Sequence, residues 1–294
     1  MFNFSRRARE NMWAYLFIGP QMIGLTLFII GPIIFAFAIS FTDWDIGSTP
    51  TWLGLENYTK QLSDSVFWKV VRNTSVFALI NIPLTMIGSL IIALMLNQNI
   101  KGKVILRTAY FMPVVTSSVA VALVWTWMYN PDFGLINSSL GFIGIEGPGW
   151  LSSLKWALPS IAFMTIWQGI GYNMILFLAG LQGISKQLYE AAIIDGANAW
   201  QKFWKITFPL LSPTIFFVLV MLLINSFQIF NEPYMMTKGG PADASNVFVL
   251  HIYDKAFQFF QMGEASAIAF ILFVIILVFT LLQFKFSKWV NYDA

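Results

Sequence analysis

Residues 206–231 read ITFPLLSPTIFFVLVMLLINSFQIFN, with Lys205 before them and Glu232 after them. The stretch carries no charge, and it is longer than the roughly 20 apolar residues a helix needs to cross the hydrocarbon core of a bilayer. Nor is it alone. Charge-free windows also run from Glu10 to Asp43, Arg72 to Lys101, Arg107 to Asp132, Lys155 to Lys186 and Glu264 to Lys285. Each is long enough to span, which predicts six transmembrane helices near 13–40, 74–96, 107–129, 157–181, 209–230 and 266–284.

Composition agrees. Of the 294 residues, 57% are hydrophobic and 11% charged, against about 25% charged in a soluble domain. Lipid is therefore the solvent for much of the chain, and the fold class is all-α and polytopic. A net charge of +3 points to no nucleic-acid partner. The absence of cysteine excludes disulfides and thiolate-bound metal. The single histidine, His251, excludes any site that needs two, and a solvated or structural role is expected for it.

The apolar run after Arg6, Arg7 and Arg9 far exceeds the core of a cleavable signal, about 7–15 residues. It reads as a retained first helix behind a short cytoplasmic segment, 1–12. Residues 13–294 then form one transmembrane domain. With the N-terminus inside, eleven of the 17 Lys and Arg residues lie in inner segments and six in outer ones. That bias places both termini in the cytoplasm and the chain in the cell membrane. Trp13, Trp125, Trp127, Trp156 and Trp289 fall near span ends, where interfacial rings belong. Pro20, Pro32, Pro83, Pro113, Pro159 and Pro213 lie in spans, where each kinks its helix and several together leave room for a cavity.

The outer connections 41–73, 130–156 and 231–265 contain the Gly, Pro, Asp and Asn that turns use. The inner loop 182–208 has a different character: it reads as two short helices. Ser185 is placed to cap the first, Asp195-Gly196 to end it, and Asn198 to cap the second. Trp200, Phe203, Trp204 and Thr207 follow at the spacing of one helical face. A simple connection would be shorter, so this loop reads as a docking element.

Its residues are Glu190-Ala191-Ala192, three more, Gly196, nine more, Ile206, one more, then Phe208-Pro209. This closely resembles the coupling motif of ABC-importer permeases, E-A-A, three residues, G, nine residues, I-x-L-P, with Phe208 where the family usually has Leu. The resemblance extends over nearly the whole chain, toward the sugar-uptake branch of maltose- and glycerol-phosphate-type permeases. It includes Ser40-Phe41-Thr42-Asp43-Trp44, Gly54-Leu55-Glu56-Asn57-Tyr58, Asp195-Gly196-Ala197 and Thr237-Lys238-Gly239-Gly240-Pro241. It implies a type I ABC-importer permease fold. Glu190, Ala191, Ala192, Asp195, Gly196 and Ala197 would then contact an ATPase. The implied partners are a second, similar permease, two ATPase subunits and an extracytoplasmic solute-binding protein. This chain cannot hydrolyse ATP itself. Its one Gly-Lys pair, Gly102-Lys103, is followed by Val104 and preceded by Asn97 where a phosphate-binding loop has its first Gly. No cofactor is expected on this chain; ATP and Mg belong to the partner ATPase.

Polar residues in the spans suggest a substrate pathway. Asn225, Gln228, Asn231 and Glu232 fall on one stripe of the fifth span, and amides suit sugar hydroxyls. Hydrogen bonding between helices explains such residues equally well. Trp167-Gln168-Gly169-Ile170-Gly171-Tyr172 resembles the W-x-G-x-x-Y stretch of maltose-type permeases, which implies that Gly169 and Tyr172 line a sugar site. Gln168 and Asn173 are candidates on their own chemistry, and close helix packing is the other reading of Gly169 and Gly171.

Three rival functions remain. Ion-coupled secondary transporters usually carry ionisable groups within spans, and these windows lack them. A zinc protease helix needs two histidines. A membrane adaptor has no need of the coupling motif. The expected activity is alternating-access import of a sugar, driven by a separate ATPase, and the absence of basic residues within the spans favours a neutral one.

Overall fold

Why these windows become helices follows from their solvent: without water, backbone N–H and C=O groups must pair within the segment. The computed structural model describes residues 6–291, so the first five residues of the expected cytoplasmic segment 1–12 lie outside the described residues. The chain opens with α1 (Arg6–Leu25), a π-turn over Thr26–Ile30, and α2 (Gly31–Ile39). A two-residue hairpin follows, β1 (Thr42–Asp43) antiparallel to β2 (Thr51–Trp52), with Thr42 opposite Trp52. Then come α3 (Glu56–Ser63), α4 (Ser65–Asn97), α5 (Lys103–Val115), α6 (Ser118–Met128), α7 (Leu135–Phe142) and α8 (Ala157–Gly183). The remainder is α9 (Lys186–Ile194), α10 (Ala199–Lys202), α11 (Phe208–Phe227), α12 (Asn231–Met236), α13 (Phe248–Tyr253) and α14 (Met262–Lys285).

Among the described residues, five stretches are long and apolar enough to cross a membrane: Glu10–Ile39, Ser65–Asn97, Ala157–Gly183, Ala199–Met236 and Met262–Lys285. The third predicted span differs from expectation. It is broken into α5 and α6, which meet at a bend of 97°. Thr116 and Ser117 leave the helix with ψ of 141° and 128°. Pro113 supplies no N–H to the turn before it, and the following Thr-Ser-Ser run offers hydroxyls that compete for backbone groups. Alone, α6 is about 16 Å long, too short to span. The outer connections also hold more structure than turns, namely the hairpin and α3, α7, α12 and α13.

The chain forms two compact units. One holds the chain through Ser63 together with Ile252–Phe270. In it, Asn57 Nδ2 donates to the carbonyls of Ser40 (3.0 Å) and Thr42 (2.9 Å), fixing the hairpin against α3. Glu264, buried in the first turn of α14, takes Lys60, Lys255 (2.8 Å) and Gln61 (3.0 Å) around its carboxylate. Its neighbouring charge raises the Lys60 pKa, chiefly through the hydrogen bond between them.

The other unit holds Asp64–His251 and the chain from Ile271. Its core is two apolar clusters. One gathers Phe77, Trp125, Tyr129, Leu158, Ile161, Met164, Ile229 and Met236. The second gathers Ala93, Leu96, Met174, Phe177, Leu181, Leu211, Ile215 and Leu222. Along α4 and α8 the first cluster precedes the second, and along α11 and its continuation the order reverses, as antiparallel packing requires. Asn73 ties α4 to the carbonyls of Asp243 (2.8 Å) and Asn246 (2.9 Å). His251 is buried, which leaves the structural of its two expected roles.

Candidate functional site

Between the two apolar clusters lies a polar layer. On α4 the residues Asn73, Phe77, Asn81, Thr85 and Ser89 recur every fourth position, all of them buried. Asn81 stands at the middle of this 33-residue helix. Its Nδ2 donates to Ser226 Oγ on α11 at 3.0 Å, and Thr85 Oγ1 donates to Asn81 Oδ1 at 3.3 Å. Leaving these groups unpaired in an apolar interior would be costly, so they bond to one another and face the space beside them.

That space is a cavity of about 330 Å³. Asn81 and Thr85 of α4 line it, with Thr165, Gly169, Tyr172 and Asn173 of α8. Leu222, Asn225 and Ser226 of α11 continue the wall to Gln228, Asn231 and Glu232. Seven of the eight residues singled out as pathway candidates therefore meet here: Gly169, Tyr172, Asn173, Asn225, Gln228, Asn231 and Glu232. The four on the fifth span do not share one helix as expected. α11 stops at Phe227, Gln228 caps it, and Asn231 begins α12. The break keeps all four on the cavity.

Gln168 is the exception. Its side chain leaves the cavity, and Nε2 donates to the carbonyls of Pro113 (3.2 Å) and Thr116 (3.4 Å) at the α5–α6 break. Asn173 lines the cavity while its Nδ2 donates within its own helix, to the Gly169 carbonyl at 2.8 Å. The two glycines separate as well. A Cβ at Gly169 would meet Thr85 Cγ2 at an ordinary 3.5 Å, whereas one at Gly171 would stand 2.0 Å from the Tyr110 carbonyl oxygen. Close packing therefore accounts for Gly171, where α5 presses on α8. Sequence reading missed Asn81, Thr85, Thr165 and Ser226. The four-residue recurrence of polar groups along the second span was the available signal.

The loop 182–208, the candidate coupling element, is a separate part of the same unit. α9 ends in a Schellman turn: Ala197 N donates to the Ala192 carbonyl (2.8 Å) and Gly196 N to that of Ile193 (3.0 Å). Gly196 supplies the φ of +76° this turn needs. Asn198 and Gln201 then form a capping box, each side chain receiving the other's backbone N–H at 2.9 Å. Ser185 sits at the N-cap of α9, but its side chain makes no capping bond. Tyr189 OH and Thr207 Oγ1, 2.9 Å apart, tie α9 to the π-turn Phe203–Thr207. That π-turn shifts the register of the predicted aromatic face. Trp204 still meets Trp200 and Phe208, at centroid distances of 5.5 and 5.1 Å.

What the loop presents is distinctive. Glu190, Ala191, Asp195 and Gly196 are exposed, and Ala192 and Ala197 half-buried. Ile194, on α9 and outside the long apolar stretches, is 86% exposed; Trp200, near the start of the stretch Ala199–Met236, is 70% exposed.

Comparison with known proteins converges on one family. Residues 85–292 match the model of the binding-protein-dependent transport system inner membrane component. The probable ABC transporter permease YesP of Bacillus subtilis is 39% identical, covering 97% of this chain and 94% of that protein. The trehalose/maltose transport system permease MalF of Thermococcus litoralis is 34% identical over 96% of this chain and 95% of its own. In a crystal structure of a bacterial ABC transporter involved in alginate import, one chain superposes with a TM-score of 0.85. It is 24% identical and the match covers 95% of this chain and 96% of that one, which shows a shared type I importer permease fold. The chain belongs to the inner membrane components of binding-protein-dependent transport systems: it is an ABC transporter permease, a transport subunit rather than an enzyme.

Proposed function

We propose that this permease imports a sugar by alternating access, the substrate passing through the cavity between the two apolar clusters. The observation that carries this reading is the sequence of layers. Along α4 and α8, apolar packing gives way near mid-helix to amides, hydroxyls and Tyr172, then returns to apolar packing; Asn225 and Ser226, in the last turn of α11, join the same layer, with Ile229 and Met236 beyond them. A transporter needs such a site at the midplane with a seal to either side. Carboxamides and hydroxyls offer donors and acceptors to uncharged hydroxyl groups, and Tyr172 offers a ring face. The relatives support the substrate class, since the Thermococcus litoralis protein is a trehalose/maltose permease.

In this reading the chain crosses the cell membrane six times, the bent pair α5–α6 counting as one crossing. Residues 1–12 and both termini face the cytoplasm, and 13–294 form the permease domain. Asn225, Gln228 and Asn231 line the cavity yet remain exposed. That open side is where a second, homologous permease completes the wall. Two ATPase subunits bind ATP and Mg, one of them docking on loop 182–208, and an extracytoplasmic solute-binding protein delivers the sugar. The loop drives transport only if it contacts the ATPase differently in the outward- and inward-open states.

The test is import by the reconstituted transporter in liposomes, with radiolabelled glucose, maltose, lactose and maltotriose. Import of at least one that requires ATP and the binding protein supports the reading. Import driven by a proton or sodium gradient without the ATPase would replace it with a secondary transporter.

A further inference from the structure

The chemistry of the cavity extends beyond its lining, through the corner of the broken helix. α5 ends at Val115, and the last carbonyls of a helix have no partners within it. Gln168 supplies one: its carboxamide reaches from α8 to the carbonyls of Pro113 and Thr116. One turn on, the backbone of α5 lies so close to Gly171 that no side chain fits between them. The corner is thereby fixed to α8. Ser118 opens α6 on the far side of the bend, and its Oγ accepts a hydrogen bond from Asn231 Nδ2 at 3.0 Å. Asn231 lines the cavity. Gln168 is thus linked, through the backbone of the corner from Thr116 to Ser118, to an amide that lines the cavity.

We propose that Gln168 and Ser118 are positioning residues for this cavity. Gln168 holds the corner that carries Ser118, and Ser118 fixes the rotation of the Asn231 carboxamide. With one N–H committed to Ser118, Asn231 keeps its Oδ1 and second N–H for the ligand. An exposed amide that turned freely would accommodate either polarity of partner and lose rotational freedom on binding. A fixed amide is organised beforehand and favours hydroxyl groups whose donor and acceptor directions match. The ligand class is a neutral polyol or sugar, and the proposal rests on the reading of the cavity as the substrate site.

The experiment uses the purified permease–ATPase complex and, as probe, whichever of glucose, maltose, lactose and maltotriose the natural transporter imports fastest. Affinity for that sugar is measured by saturation-transfer NMR, and retention of the ATPase by co-purification. Ser118→Ala and Gln168→Met are each expected to weaken sugar binding about three- to tenfold, the range of one lost hydrogen bond, with the ATPase retained. Ser118→Thr, which keeps the hydroxyl, restores the natural affinity. In an Asn231→Ala background, Ser118→Ala adds nothing, because both remove the same contact. Unchanged affinity in both single variants overturns the proposal, and so do multiplicative losses for Ser118 and Asn231. Loss of the ATPase from either single variant also overturns it, making the corner a structural element. Failure of the natural transporter to import any of these sugars would refute the underlying sugar reading instead.

Discussion

The coupling loop and the central cavity solve opposite problems. The loop exposes Ile194 and Trp200, while its backbone is held by local devices: a Schellman turn at Gly196 and a capping box at Asn198. The cavity lies inside the bundle and holds its polar groups with partners distant in sequence, such as Asn81 with Ser226. One region is a rigid, locally specified handle and the other an assembled site. Changes in the handle should therefore abolish coupling while leaving the bundle intact. Changes in the cavity should grade with the chemistry removed.

The sharpest break between the two comes from Gly196→Pro. Proline is confined to φ near −65° and has no N–H, whereas this position needs +76° and a donor to the Ile193 carbonyl. ATP-driven import should fall to background while the protein remains in the membrane fraction. Normal import would remove the handle from the account. Next in size is Tyr172→Ala, expected to slow import of the preferred sugar about tenfold, the effect of losing one aromatic contact worth roughly 1.4 kcal/mol. The ATPase should still co-purify; its loss would make Tyr172 part of the scaffold. Asn81→Leu should cost less, about three- to tenfold in sugar affinity, because it removes one amide from a network with several members. No change would place Asn81 in packing alone.

The smallest effect concerns neither region and serves as a control. Glu264 raises the Lys60 pKa above its ordinary value. The stabilisation this reports is complete below about pH 10.4, the ordinary lysine value, and fades as pH rises through the raised value. Lys60 is 58% exposed, so solvent screens the pair. A slight drop in melting temperature as pH rises beyond about 10.4, absent in Lys60→Met, is the expected signature. An equal drop in Lys60→Met would assign it to other groups.

Much of this was legible because both signals are short-range. Charge-free windows marked every long helix, and Gly196 and Asn198 announced the turn of the coupling loop through their own backbone preferences. The break in the third span was not legible in the same way. Pro113 and the Thr116-Ser117-Ser118 run allow a bend, but other prolines in the chain, such as Pro83, sit inside continuous helices. The corner is met by Gln168, 52 residues from Thr116, through hydrogen bonds to two of its carbonyls. The side to which Gln168 points could not be read from its place beside Gly169. Likewise, the stripe through Asn225 and Asn231 was anticipated as one helix, yet a break after Phe227 turns both to the cavity. The polar face of α4 was present in sequence as a four-residue recurrence, but its meaning depends on Ser226 lying opposite. Exposed handles record their function locally, whereas assembled sites record it in pairs.

The central claim is that loop 182–208 is where an ATPase takes hold of this permease. It is tested most directly by affinity purification of the tagged chain from detergent-solubilised membranes of its source cells, with and without Glu190→Lys. The account predicts that a second permease and an ATPase accompany the natural chain, and that the variant keeps the permease and loses the ATPase. An ATPase retained equally by the variant would contradict the docking site, and a natural chain recovered alone would contradict the assembly.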